Sequence, residues 1–193
     1  QKVVNTGKPA KRNRKLFHNR CVFQESRPHC RKAWPQRPTE AALEQLHELD
    51  CTDGLPVVVP TEERVERLIL ATGLDGDLVL GEMGPAMGVA TVEKVCVASV
   101  MAGCKPDYMP VVIAAVKAAV KPEFDLTELQ ATTHCTAPLI IVNGSARENC
   151  GPISSGYGAL GPGHRANASI GRALRLCMIN IGGGRPGVSD MAL

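Results

Sequence analysis

Apolar and polar residues alternate at helical spacing in two runs near the start of the patterned part of the chain. Residues 39–49 (TEAALEQLHEL) form a short amphipathic run that opens with a capping hydroxyl. A second run begins at Thr61, carries acids in its first turn and ends before the glycines of residues 73–76. Both predict helices. Between them, residues 55–59 (LPVVV) predict a short strand or extended segment.

The middle of the chain is almost entirely apolar. Residues 78–80 (LVL) predict a strand, and the glycines of residues 81–88 predict a loop after it. Residues 89–102 and 105–120 predict two long helices with few polar positions. Because such helices have no broad polar face, we expect both to be largely buried.

The last third combines a strand pattern with a glycine-rich stretch. Residues 137–142 (APLIIV) are the strongest strand pattern in the chain, since β-branched residues end at an Asn-Gly pair. Residues 154–163 are rich in glycine, and a helical run carrying Arg165, Arg172 and Arg175 follows. Interleaved strands and helices predict an α/β or α+β fold, with a small sheet and buried apolar helices.

Charge divides the chain into two parts. Residues 1–38 hold 11 of the 22 Lys and Arg residues and only one of the 19 acids, so the remainder is acidic. We expect an extended basic arm over residues 1–38 and a single α/β domain over residues 39–193. Blocks of like charge usually meet an oppositely charged surface, here the acidic body of a partner subunit. Nucleic acid is the less favoured target, because the arm carries few aromatic residues for stacking.

The eight cysteines contain no C-x-x-C pair, so neither a disulfide framework nor a zinc motif is predicted. His18, Cys21, His29 and Cys30 lack the usual zinc spacing, and we expect no metal site. No apolar run is long enough for a membrane span, and no secretory signal is evident. The sequence therefore predicts a cytoplasmic protein with reduced thiols that does not enter a membrane. No motif identifies a cofactor.

The glycine-rich loop and the helix after it suit the binding of an anion. Glycines let the backbone approach a ligand, and a helix N-terminus offers unpaired N–H groups. The loop matches neither GxGxxG after a strand nor the P-loop pattern. The predicted substrate-binding residues are Gly161, Gly163, His164, Arg165 and Asn167. The alternative is a structural loop that lets the last helix pack closely. Separately from the loop, Arg172 and Arg175 are interpreted as ordinary charges on the helix surface.

Four residues are candidates for proton transfer or thiol chemistry. Glu93 and Lys94 lie in an apolar helix, where an ionisable group needs a partner, so a structural ion pair is the alternative. Cys104 stands at a helix junction beside a lysine, which would lower the pKa of a thiol. His134 precedes Cys135 and could deprotonate it. For any single cysteine, an inert position in the core is the alternative.

Four blocks of sequence resemble a poorly characterised prokaryotic family associated with small redox proteins that bear a UGSC motif. The blocks are GLPVVVPTEERVERLI, ATVEKVCVASVMAGCKPDYMPVVIAAV, ATTHCTAPLIIVNG and GALGPGHRANASIGRALRL, within residues 54–192. The resemblance implies thiol- or selenol-linked chemistry and supplies no catalytic residues. The basic arm is foreign to that family's pattern. Family members also continue past the glycine-rich segment at residues 182–187, so a second polypeptide is expected to complete the fold.

Two functions are expected from these observations. The preferred one is a subunit of a cytoplasmic multi-subunit enzyme that acts on a small anionic substrate, with thiol- or selenol-linked redox or lyase chemistry. The alternative is a non-catalytic structural or regulatory subunit whose basic arm clamps a partner protein. Both predict a hetero-oligomer.

Overall fold

The computed structural model of this protein describes residues 40–192. Within that range the chain forms seven α-helices, two β-strands and two short 3-10 turns. They follow in this order: α1 (Glu40–Glu48), α2 (Glu62–Thr72), β1 (Val79–Met83), β2 (Gly88–Thr91), α3 (Val92–Met101), a 3-10 turn (Pro106–Tyr108), α4 (Met109–Ala119), a second 3-10 turn (Pro122–Phe124), α5 (Leu126–Ala131), α6 (Ser145–Asn149) and α7 (Arg165–Asn180). The predicted arm over residues 1–38 lies outside the described residues.

Helix α2 shows how the predicted helical pattern becomes structure. Its apolar stripe, Val65, Leu68 and Ile69, is buried at the spacing of one helix face. The helix ends at Gly73, which adopts a left-handed φ of 67° and donates its N–H to the carbonyl of Leu70. This is the terminating glycine that the sequence predicted.

Helix α3 is the centre of the core. All its residues except Glu93 and Lys94 are buried, so it has no solvent-facing side. Helices α2, α4 and α7 pack around it. The one hydroxyl within it, that of Ser99, donates to the carbonyl of Val95 at 2.7 Å and so satisfies its hydrogen-bonding need. The continuous apolar pattern is therefore explained by enclosure on all sides.

The predicted loop at residues 81–88 is wrong in part, because β1 and β2 form an antiparallel hairpin there. Residues 89–91, predicted as helix, belong to β2, and α3 begins only after Thr91, whose Oγ1 accepts the N–H of Lys94. Gly88 contributed to the error, because glycine is uncommon inside a strand and therefore reads as part of a loop. A Cβ there would stand 1.9 Å from the carbonyl oxygen of Ile181, so the glycine permits close packing of the hairpin.

Residues 137–142, predicted as the best strand, do not join the sheet. The segment is without regular structure, and exposed and half-buried residues alternate along it. Leu139 and Ile141 are 73% and 77% exposed. The prediction of a sheet strand was wrong because no neighbouring strand in the described part of the chain offers a partner. Residues 55–59 are likewise not a strand; Val58 donates its N–H to the carbonyl of Met101.

The described part of the chain is a mixed α/β protein with a helix-rich core and a small two-stranded antiparallel sheet. This confirms the predicted fold class. One set of buried aliphatic and sulfur-containing side chains extends from α1 to α7. None of the helices between residues 40 and 192 has both the length and the apolar character needed to cross a membrane.

Candidate functional site

A groove of about 510 Å³ runs along one face of α7. Its floor is formed by residues spaced three and four apart on that helix: Asn167, Ile170, Gly171, Leu174, Arg175 and Met178. Residues 136–140 and Val142 line one wall. The glycine-rich loop contributes Ala159 and Leu160 at the end near Asn167, and the C-terminal segment contributes Asp190 at the end near Arg175. Most of the surface is aliphatic.

Arg175 is the one cationic side chain among the residues that line the groove. Its Nη1 donates to Oδ2 of Asp190, whose side chain is only 5% exposed. Within the described part of the chain, its Nε and Nη2 donate to no group. The ion pair therefore holds the guanidinium in place and leaves the edge that can grip a carboxylate through two parallel bonds. Sequence reasoning treated Arg175 as an ordinary surface charge.

Gly171 leaves open space on the floor of the groove. No atom lies within 4 Å of the place where a Cβ would stand. A glycine inside a helix costs roughly 1 kcal/mol relative to alanine, and here the packing of the chain itself does not need it. The open space is therefore available to a molecule that is not part of the described chain.

Asn167, predicted to bind substrate, holds the glycine-rich loop against α7. Its Oδ1 accepts the N–H of Ser154 at 3.0 Å, and its Nδ2 donates to the carbonyls of Ser154 and Ala159 at 3.0 and 2.8 Å. Both amide donors and the amide oxygen are thus engaged. Asn167 lines the groove and shapes its end, while its hydrogen bonds go to the protein.

Arg165 joins the start of α7 to the end of α3. Its Nε and Nη2 donate to the carbonyl of Gly103 at 3.2 and 2.8 Å. Gly161 is buried with a φ of 127°, and a Cβ there would stand 3.4 Å from the Cα of Ala168. These contacts favour the structural alternative for the loop, in which its glycines allow close packing on α7.

The other two residues predicted at this junction are more open. Gly163 is exposed with a φ of 83°, and no atom lies within 4 Å of a Cβ built on it. His164 precedes the first residue of α7, but its side chain makes no capping bond. Neither residue lines the groove. The predicted anion site is thus split between a loop junction and the groove floor.

Cys104 is a buried thiol. Its Sγ donates to the carbonyl of Ser169 at 3.3 Å, and its surroundings are those of the interface between α3 and α7. Burial raises its pKa to about 12, and the nearby charge of Arg165 only partly opposes this. Burial also raises the pKa of Cys96 to about 12. At neutral pH both are protonated, which favours the inert alternative over a nucleophile.

The four predicted catalytic residues are not gathered at one place. Glu93 and Lys94 lie in the first turn of α3, where Nζ of Lys94 donates to the carbonyl of Val89 at 2.8 Å. Cys104 follows the other end of that helix, about 15 Å away at 1.5 Å per residue. His134 is exposed and stands two residues before Thr136, which lines the groove. Of the four, His134 is the one beside the groove in sequence.

Sequence reasoning also missed the role of Arg172. Its Nε and Nη2 each donate at 2.8 Å to the carboxylate of Asp53, which lies 119 residues earlier. Burial tends to raise the pKa of Asp53, but the hydrogen bond and charge of Arg172 outweigh burial and hold that pKa below its ordinary value. Arg172 therefore links α7 to the loop before α2 through an ion pair. No pattern in the sequence pairs residues so far apart.

Within residues 40–192, no group of three or more His, Cys, Asp or Glu side chains is placed to hold a metal ion. Comparison with protein-family models, with curated proteins and with solved structures found no match to this chain. The resemblance to the family associated with UGSC proteins therefore stays a prediction.

Proposed function

We propose that this chain is the substrate-binding subunit of a hetero-oligomeric enzyme, and that its groove takes an elongated, mainly apolar molecule with a carboxylate at one end. The observation that carries the proposal is the guanidinium of Arg175. It is fixed by Asp190, has two donors unengaged within the described residues, and lines a mainly apolar groove. The proposed anion-binding group is therefore Arg175 on α7, whereas the sequence had predicted the glycine-rich loop.

The size and lining of the groove support a small molecule. About 510 Å³ falls in the range of ligand sites, roughly 300–1,000 Å³, and such sites combine apolar walls with a few placed polar groups. Ile140, Ile170 and Leu174 supply apolar contacts. Each methylene that leaves water contributes about 0.8 kcal/mol, so the apolar body gives affinity and Arg175 gives orientation.

The reacting groups are proposed to come mainly from the second polypeptide. The groove lining offers no thiol and no histidine, and His134 and Cys135 stand just outside it. A redox or lyase reaction linked to a thiol or selenol is consistent with the resemblance to proteins that accompany UGSC partners. The alternative function, a structural subunit that clamps its partner with the basic arm, depends on residues 1–38, which the structure does not describe.

The test uses octanoate as a probe and octanamide as its uncharged counterpart. We expect calorimetric titration to show binding of octanoate and at least about tenfold weaker binding of octanamide, which cannot form a charge-assisted pair with Arg175. Gly171→Leu should abolish binding, because the new side chain fills the floor. Ala71→Leu adds the same side chain on the exposed face of α2 and should bind octanoate as the wild type does.

Two results would contradict the proposal. One is the absence of octanoate binding to the wild type at millimolar concentration. The other is unchanged binding by Gly171→Leu, since the leucine would occupy the part of the floor on which the ligand is proposed to lie. Thermal unfolding of each variant checks that the fold is intact. We expect no loss of stability in Gly171→Leu, because leucine has a higher helix propensity than glycine.

A further inference from the structure

Residues 136–142, here called the wall segment, border the groove with their main chain as well as with their side chains. Exposed and half-buried positions alternate along the segment, as they do in an extended chain. Successive side chains of such a chain point to opposite sides, so a wall made of side chains alone would use every second residue. Here five consecutive residues, 136–140, line the groove. The edge of the main chain therefore forms part of the wall.

The main chain of the wall segment has unused hydrogen-bonding groups. No N–H or carbonyl of residues 137–142 forms a hydrogen bond with the main chain of residues 40–192. Each of these residues except Pro138 carries an N–H, and all of them carry a carbonyl. Such groups are normally paired within a sheet or bound by water, and an open row of them accepts another strand. The groove thus offers main-chain donors and acceptors beside its apolar surface.

We propose that the elongated acid in the groove is a short peptide, which adds to the wall segment as a β-strand and places its C-terminal carboxylate on Arg175. This inference rests on the proposed function, since it uses the same groove and the same guanidinium. Peptides that add as a strand gain affinity from main-chain hydrogen bonds, and the guanidinium binds the free carboxylate. A simple aliphatic acid would leave the main chain of the wall without partners.

The length of the groove fits a peptide of a few residues. Asn167 and Arg175 are eight residues apart on α7, which corresponds to about 12 Å at 1.5 Å per residue. An extended peptide advances about 3.3 Å per residue, so roughly three to four residues fit between the guanidinium and the glycine-rich loop. Gly171 lies midway between the two, and the open space above it can take one side chain of the peptide.

The rim of the groove favours apolar side chains on the peptide. Leu139 and Leu160 are 73% and 89% exposed although both line the groove, so a bound peptide would remove apolar surface from water. Between Glu128 and Arg147 the chain carries no Asp, Glu, Lys or Arg, so the wall segment has no charged partner for a charged side chain. The carboxylate is therefore the one charge that the proposed peptide needs.

The first test is calorimetric titration of the full chain with acetyl-Ala-Val-Ala-Leu, which has a free carboxylate. We expect this peptide to bind and its C-terminal amide to bind at least about tenfold more weakly. Gly171→Leu should abolish peptide binding, and the control Ala71→Leu should retain it. Octanoate binding without peptide binding would overturn this proposal alone, whereas the failure of both probes would overturn the proposed function as well.

The second test asks whether the peptide pairs as a strand. It uses two isomers of the tetrapeptide, with one N-methyl group on the valine nitrogen or on the nitrogen of the alanine after it. Neighbouring N–H groups of a strand point to opposite edges, so pairing with the wall segment uses one of the two. We expect one isomer to bind at least about tenfold more weakly than the other, although their compositions are identical. Equal affinities of the two isomers would refute strand addition.

Discussion

The contact between Arg172 and Asp53 allows a quantitative test of how α7 is tied to the loop before α2. Arg172 donates to both carboxylate oxygens at 2.8 Å, and its Nη2 also reaches the carbonyls of Leu55 and Pro56 at 3.2 and 2.9 Å. The two side chains are 22% and 14% exposed. The pair is therefore partly withdrawn from water, between the limits of an exposed and a buried ion pair.

The expected cost of Arg172→Ala follows from those limits. Exposed ion pairs contribute up to about 1 kcal/mol, whereas removing one partner of a buried pair costs about 3–5 kcal/mol. For this partly buried pair we expect a loss of about 2 kcal/mol in the free energy of unfolding. A double-mutant cycle of Arg172→Ala with Asp53→Ala should give a coupling energy of about 1–2 kcal/mol.

Urea unfolding followed by circular dichroism measures these quantities. The midpoint should fall in Arg172→Ala while the slope with urea stays the same. The control is Arg147→Ala, which removes an exposed arginine with single bonds to the carbonyl of Ile153 and the hydroxyl of Ser155 and should cost less than about 0.5 kcal/mol. Equal losses in the two variants, or a coupling energy near zero, would refute the reasoning.

The same pair predicts a dependence on pH. Because the folded-state pKa of Asp53 lies below its ordinary value, the contribution of the ionised carboxylate is complete above that ordinary value, about 3.9. It is lost as the pH falls through the lower folded-state pKa. The difference in stability between wild type and Asp53→Asn should thus be constant near neutral pH and shrink below about pH 4. A difference that grows with acidity would have the wrong sign.

Three further predictions follow from single positions. Gly182→Ala should destabilise the fold by about 2 kcal/mol or more, because the new Cβ would stand 2.4 Å from one backbone carbonyl oxygen and 2.8 Å from another. The control is Gly156→Ala, where no atom lies near the new Cβ. It should cost less than about 0.5 kcal/mol in the same urea assay. Gly171→Ala should raise the free energy of unfolding by up to about 1 kcal/mol, which thermal unfolding would detect. Iodoacetamide at neutral pH should modify the exposed Cys135 and leave the buried Cys104 unmodified, which peptide mapping would show. Equal labelling of the two thiols would contradict the burial that raises the pKa of Cys104.

The parts of the fold that the sequence predicted well are those with a complete local signal. Helix α2 has an apolar stripe, acids in its first turn and a terminal glycine, and all three agree. The hairpin was missed because its turn, residues 84–87, begins with Gly-Pro and is flanked by Gly81 and Gly88, a pattern that reads equally well as a loop. Residues 137–142 have every local feature of a strand, but strand formation needs a neighbour, and the local pattern carries no information about one.

The candidate site was predicted least well, for a physical reason. Arg172 and Arg175 look alike in sequence, and what distinguishes them is the partner that folding brings to each, Asp53 or Asp190. The distance along the chain is large in the first case, and in the second a glycine-rich turn intervenes. Gly171 gave no signal either, because a glycine within a helical run is meaningful only when the space above it is known.

The enclosure of α3 has a consequence for synthesis on the ribosome. Its covering helix, α7, begins at Arg165, 62 residues after Gly103 at the end of the α3 region. At about 5–20 residues per second, translation leaves the apolar α3 without its main cover for roughly 3–12 s. During that interval the nascent chain exposes apolar surface, so synthesis of α7, the last helix between residues 40 and 192, ends the period in which the exposed face of α3 favours aggregation.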